Sequence, residues 1–242
     1  MIGSNSEKLL RSLHHKKYRN THNKFILEGK RTIDFANNTS GDFSLIIYTK
    51  SFSKLNPKLI SRLKCKSIEI VSEKEMDKLS PSKSPSGILA IANMINYGKF
   101  NNNNNVVFLD KVSDPGNMGT IIRTAAWFGV YQIALSPGCI DPYNPKVVRS
   151  AMGSHFSLNW MGEKDISTLN NYKLIGADQN SKNKKLDKLM GKWALIMGSE
   201  SHGFSKKTRS YIYQTIGITK IGSGESLNIG VAMGILLHKM TK

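Results

Sequence analysis

The stretch Ile221 to Gly230, IGSGESLNIG, sets Glu225, Ser226 and Asn228 among three glycines, directly ahead of the apolar run VAMGILLHK. A carboxylate, a hydroxyl and an amide can hold a polar ligand, and the glycines let backbone approach it closely. Taken alone, Ser226 reads as a helix N-cap and Asn228 as a local hydrogen-bonding residue in the first turn. Two further stretches share this polar, glycine-rich character. In DKVSDPGNMGTIIRTAAWFG, Asp114-Pro115-Gly116 makes a turn, Asn117 is placed to cap the helix that follows, and Arg123 lies six residues on. An arginine early in a helix gains nothing from the macrodipole, which favours anions at that end. It is either half of a surface ion pair or a contact for a phosphate or substrate. In GSESHGFS, Gly198 to Ser205, Glu200 lies between two glycines.

Other chemistries lack their signatures. There is no GxxxxGK[ST] loop, no GxGxxG after a strand and no GxSxG elbow. The histidines, including the His14-His15 pair, show no metal-binding spacing, and no metal is expected. His155 and His202 read as solvated or hydrogen-bonded rather than catalytic. Cys65 and Cys139 stand far apart, which fits neither a metal site nor a disulfide framework.

The elements that must carry these loops follow from periodicity. Glu7 to Tyr18 reads as one short basic helix. FILEGKRTIDFANN is a strand entering a helix near Lys30. SLIIYTK, SIEIV and ILAIANM are strand-like, with helices expected over NPKLISRLK and SEKEMDKLS, the latter opened by a Ser72–Glu75 capping box. The asparagine run in NYGKFNNNNN suits an exposed linker. Beyond it, VVFLD, QIALS, KLIGA and WALIMG are apolar runs of strand length alternating with helical segments. The final helix is expected from about Ser226 to Met240, with Gly230 and Gly234 allowing close approach of another element, a subunit interface among the options. The reading is an α/β chain: residues 1–95 form a small α/β domain, 96–105 a linker, and 106–242 a mostly parallel sheet with helices on both faces. Ligands of such sheets sit beyond the C-terminal ends of the strands, where the three polar loops fall.

Composition bounds the partners. The 242 residues hold 35 Lys and Arg against 17 Asp and Glu, a net charge of +18. That excess favours a polyanion through phosphate contacts and counterion release, against the alternative of a merely lysine-rich surface. No apolar run reaches membrane-spanning length, and the N-terminus is polar and basic without a secretory apolar region, so a cytoplasmic protein with no membrane partner is expected.

The three loops resemble, in order, the three signature motifs of the SpoU (TrmH) family of RNA ribose 2'-O-methyltransferases: DKVSDPGNMGTIIRTAAWFG, ALIMGSESHGFS and ITKIGSGESLNIGVAMGILL. VVRSAMGSHF is similar to the family's intervening segment, and KKYRNTHNKFILEGKRTIDFA to the L30e-like RNA-binding domain of many members. The resemblance implies a deep trefoil knot near the C-terminus, a homodimer and S-adenosylmethionine as methyl donor. By the same similarity the donor would be held by Met197, Gly198, Ile218, Leu227 and Asn228. Arg123 would help activate the 2'-hydroxyl, with Asn117, Glu200, Ser226 and Asn228 as the other catalytic positions. The substrate implied is structured RNA, ribosomal in preference to transfer RNA. A non-catalytic RNA-binding protein that keeps the fold is the alternative.

Overall fold

The computed structural model describes residues 2–184 and 191–241. In chain order the elements are α1 (Ser4–Ser12), α2 (Lys16–His22), β1 (Lys24–Glu28), α3 (Lys30–Asn38), β2 (Phe43–Thr49), α4 (Lys50–Leu55), α5 (Pro57–Ile60), β3 (Ile68–Val71), α6 (Glu73–Leu79), β4 (Ile88–Asn93), β5 (Val106–Leu109), α7 (Pro115–Trp127), β6 (Gln132–Leu135), α8 (Pro145–Ala151), β7 (Asn159–Glu163), β8 (Lys173–Ala177), β9 (Trp193–Met197), α9 (Lys206–Tyr211), β10 (Gln214–Ile216) and α10 (Ile229–Met240). Two compact units result: Met1–Ile95 with Asp141–Ser157, and Asn96–Ile140 with Leu158–Lys242. The segment Asp141–Ser157, assigned by the sequence to the second domain, thus packs with the first. No helix among the described residues is long and apolar enough to cross a membrane.

In the first unit the sheet order is β1-β4-β2-β3. β4 runs antiparallel to β1 and β2, and β3 parallel to β2. Side chains alternate between two cores. Phe25, Leu27, Ile46, Tyr48 and Ala90 enter one, with Val148 and Phe156 of the Asp141–Ser157 segment. Ile26, Leu45, Ile47, Leu89 and Ile91 enter the other, beside Leu10, Leu13, Met76 and Leu79. Burial on both faces is why these strands read as continuous apolar runs. Ser72 and Glu75 form the expected capping box on α6.

The N-terminal basic segment is two helices rather than one. Leu10 and Leu13 share a buried face, and a continuous helix would carry Arg19 well off that face. The break at His14–His15 lets Arg19 turn inward instead. Its Nε and Nη2 donate to Asp141 Oδ2 at 3.0 and 2.5 Å, and its Nη1 donates to the carbonyls of Leu13 and His14, each at 2.9 Å. Both charges are buried and the guanidinium is well supplied with acceptors, which such a pair requires.

In the second unit the sheet order is β10-β8-β9-β5-β6-β7 and every pairing is parallel. The two edge strands, β7 and β10, carry no clear apolar pattern and are absent from the sequence reading. The asparagine run belongs to this unit. Buried Gln132 accepts from Asn101 N–H at 2.6 Å and donates to the carbonyls of Asn101 and Asn104 at 3.1 and 3.0 Å, while Asn105 Oδ1 accepts from Trp193 N–H at 3.2 Å. A buried amide needs such partners, and the run supplies them from its backbone.

His155 lies fully buried in the first unit, stacked on Tyr143 with centroids 5.6 Å apart, its Nε2 2.8 Å from the Pro142 carbonyl. Desolvation pushes it down to about 4, against the opposing pull of the Pro142 hydrogen bond and the Asp141 charge. The unfolded chain, with histidine near 6.5, therefore binds the extra proton between about pH 6.5 and 4, so stability is full above that window and falls with pH through it. Urea unfolding is expected to show a loss of about 2 kcal/mol between pH 7.5 and 5 from this group. His155→Gln should flatten that dependence; an unchanged slope would assign it to other groups.

Candidate active site

All strands of the second sheet run one way, so the loops after β5 and β9 leave it at a common edge. Leu109 pairs with Met197 at the last register position, which brings Asp110 beside Gly198. Asp110, 1% exposed, receives the Ser205 N–H on its Oδ2 at 2.7 Å and donates its own N–H to the Met197 carbonyl at 2.8 Å. One residue, through its carboxylate at one end and its backbone N–H at the other, thus clamps both ends of the Gly198–Ser205 loop to β5. Sequence reading left Asp110 as the end of a strand; a carboxylate closing an apolar run was the signal.

That loop is tight. Ser199 and Gly203 exchange both backbone hydrogen bonds, at 3.0 and 2.9 Å. A Cβ on Gly198 would lie 2.5 Å from the Gly203 carbonyl carbon, so the close backbone approach requires glycine there. Glu200 is held exposed at the tip of this loop.

The helix caps differ from expectation. Asp114, not Asn117, caps α7, its Oδ1 accepting from Asn117 N–H at 2.7 Å. Asn228, not Ser226, caps α10, its Oδ1 accepting from the N–H groups of Gly230 and Val231 at 2.9 and 3.3 Å. The α10 start is set by packing on α7, since a Cβ on Gly230 would sit 2.6 Å from Thr120 Cγ2. The close neighbour of Gly230 is thus α7 of the same chain.

These caps leave two side-chain amides for each other. Asn228 Nδ2 donates to Asn117 Oδ1 at 2.7 Å, and Asn117 Nδ2 donates to Glu200 Oε1 at 2.6 Å. One relay joins all three polar loops, across 111 and 83 residues of sequence. Arg123 lies on the exposed side of α7, and among the described residues no carboxylate comes within 4.0 Å of it or cation within 4.0 Å of Glu200. Arg123, the ninth of the 13 residues of α7 and so not early in the helix as the sequence suggested, and Glu200 are thus both left without an ion-pair partner among the described residues.

The remaining expected residues do not join this relay. Ser226 is exposed and makes no hydrogen bond among the described residues; Glu225 is exposed. Met197 is buried at the end of β9 with Gly198 next to it half-buried. Ile218 is half-buried beyond β10, and Leu227 is 51% exposed. His202 is exposed, paired to Ser201, and among the described residues no cluster of His, Cys, Asp or Glu could hold a metal ion.

Gly198→Ala should cost about 1–3 kcal/mol by overpacking against backbone that has no rotamer to yield. Thermal unfolding measures this; an unchanged midpoint would mean that the loop opens freely.

The profile of the SpoU rRNA Methylase family matches residues 104–238, and that of an MRM3-like substrate binding domain matches residues 5–90. Among relatives is the 23S rRNA guanosine 2'-O-methyltransferase RlmP of Bacillus subtilis, 29% identical over 95% of this chain and 93% of its own. A solved structure of a putative RNA methyltransferase of the TrmH family from Porphyromonas gingivalis superposes with a TM-score of 0.84 at 27% identity, covering 99% of this chain and 98% of that one. The SpoU methyltransferase AviRb of Streptomyces viridochromogenes, in complex with the cofactor AdoMet, gives 0.85 at 22% identity over 99% and 97% of the two chains, a likeness of fold. With its three loops joined by one relay, and the family profile spanning more than half its length, this chain belongs to the SpoU rRNA methylase family.

Proposed function

We propose that this protein transfers a methyl group from S-adenosylmethionine to a ribose 2'-hydroxyl of ribosomal RNA. The observation that carries the reading is the Asn228–Asn117–Glu200 relay, with Arg123, six residues on from Asn117 in α7, left without a carboxylate partner among the described residues. It is supported by the relative RlmP, whose name records 2'-O-methylation of 23S rRNA.

The loops suit the donor. Exposed Leu227 and half-buried Ile218 offer apolar surface to a nucleoside, and Gly222 and Gly224 have open space where a side chain would stand. Met197, Gly198, Ile218, Leu227 and Asn228 would hold S-adenosylmethionine, largely through backbone. When bound, it supplies a methyl group already activated by sulfonium charge. The chain's own contribution is alignment and charge. A guanidinium is a poor proton acceptor, so Arg123 steadies the oxygen as its proton passes to solvent, or holds the neighbouring phosphate, rather than taking the proton itself. Glu200, held by Asn117, faces the site as the hydrogen-bond acceptor. Ser226, with its hydroxyl uncommitted, orients RNA or donor.

The rest of the reading concerns assembly. Residues 106–242 carry the chemistry in a trefoil-knotted fold, and the N-terminal domain is the L30e-like part that receives RNA. The enzyme works as a cytoplasmic homodimer. Trp127 on α7, 83% exposed, and Val231 on α10, 50% exposed, give the packed helix pair an apolar outer surface that supports this assembly. Trp127→Glu is expected to shift the mass in sedimentation from twice 27.0 kDa to 27.0 kDa; a monomeric wild type would remove the dimer.

The test is methyl transfer from labelled S-adenosylmethionine to unmodified ribosomal RNA, followed by alkaline digestion, which a 2'-O-methyl group blocks at the next phosphodiester. Label should appear in alkali-resistant dinucleotides. Arg123→Ala should lower kcat by about 10²–10³ with donor affinity unchanged. Label in alkali-sensitive products would move the reaction to a base, and absence of donor binding would leave a non-catalytic RNA-binding protein.

A further inference from the structure

Helix α2 is an unusual piece of surface. His15, Lys16, Lys17, Tyr18, Asn20, Thr21 and His22 are all exposed, and Arg19 alone is buried, at 2%. Its seven residues, KKYRNTH, contain no acid. Among the described residues no carboxylate lies within 4.0 Å of Lys16 or Lys17. Tyr18 is 42% exposed, with the Lys17 ammonium 5.9 Å from its ring centroid and the His15 ring edge-on at 6.4 Å. Cations and an open aromatic face are thus gathered on one short element.

Such a helix does not hold itself. Seven residues fall short of what an isolated helix needs, and neighbouring like charges oppose it. The four hydrogen bonds of Arg19 to Asp141 and to two backbone carbonyls hold it from beneath. The sequence alone allows this segment to be a mobile arm; the buried ion pair makes it a fixed platform. Helix α6 offers the contrast. Its seven residues, EKEMDKL, set Glu73, Glu75 and Asp77 beside Lys74 and Lys78, so its charges cancel locally. The absence of acids on α2 is therefore a property of that surface and not of lysine content at large.

We infer that the outer face of α2 is an RNA-docking surface, with Lys16 and Lys17 meeting phosphates and Tyr18 stacking on an unpaired base. This rests on the reading of the protein as acting on RNA and adds where, on the N-terminal unit, the RNA is gripped. RNA is favoured over an acidic protein because a stacking ring among cations suits a strand that carries both phosphates and bases.

The test uses the full chain and a labelled, unmodified transcript of large-subunit ribosomal RNA, with filter binding across a salt series. Lys16→Ala/Lys17→Ala should weaken binding and lower the slope of log Kd against log salt by about 1.4–1.8, the share of two phosphate contacts. Tyr18→Ala should weaken binding about 5- to 100-fold and leave the slope unchanged, because stacking releases no counterions. Lys74→Ala/Lys78→Ala removes the same net charge and should stay near wild type. All five positions are exposed, so melting temperatures are expected to hold, and donor binding by calorimetry should be the same in every variant. Wild-type affinity and slope in both α2 variants would overturn this inference while leaving the RNA reading intact. Equal losses in the α6 control would overturn it in favour of general charge attraction. Failure of the wild type to bind the transcript at all would overturn both.

Discussion

The side-chain amide of Asn117 has two unlike ends, and the site depends on both. Asn228 uses its oxygen to cap α10, so only its nitrogen faces Asn117. Asn117 must then present its oxygen to Asn228, which turns its own nitrogen toward Glu200. Each orientation forces the next, from a helix N-terminus to an exposed carboxylate. A side-chain amide donates from one end and accepts at the other in a fixed plane, and an aspartate at position 117 would set one carboxylate against another. Three loops far apart in sequence are locked by two hydrogen bonds because a backbone cap fixes the direction of both.

Beneath this relay lies a plainer constraint. Parallel strands deliver their loops to one edge, but they do not hold those loops still. Asp110 does so for the Glu200 loop, and the contact of Gly230 with Thr120 does so for the start of α10. The first unit solves a similar problem with Arg19 and Asp141. There a buried charge pair, rather than an apolar contact, fixes a polar helix that has little to bury of its own.

Much of this fold was legible in the sequence, for a physical reason. β2, β4, β5, β6, β8 and β9 are apolar runs because they lie inside their sheets. β7 and β10 are edge strands; β7 carries polar ends and a glycine at φ 72°, and β10 has three residues, so neither leaves a pattern. The helix starts were misplaced by a few residues at α10 because Ser226 and Asn228 are both good caps and tertiary packing chose between them. The asparagine run misled because composition reports side chains, whereas Gln132 is satisfied by the run's backbone. For the site, the three loops and their polar residues could be seen, and Asn117, Glu200 and Asn228 do meet. Their pairing could not be seen, since no local rule links residues 83 and 111 positions apart.

The distribution of charge sets Arg123 apart from most arginines of the chain. The chain has seven arginines and only 17 acids. Arg11, Arg19, Arg62, Arg149 and Arg209 each hold a carboxylate. Arg31 and Arg123 hold none among the described residues, and Arg123 is the ninth of the 13 residues of α7, not early in the helix as the sequence suggested, so the helix dipole gives no argument against a cation there. The alternative that it serves a surface ion pair is thereby removed. Exposed, and six residues on from Asn117 in α7, Arg123 is left to solvent in the described chain. Under the proposed function, the phosphate beside a ribose is an anion of the right kind for it.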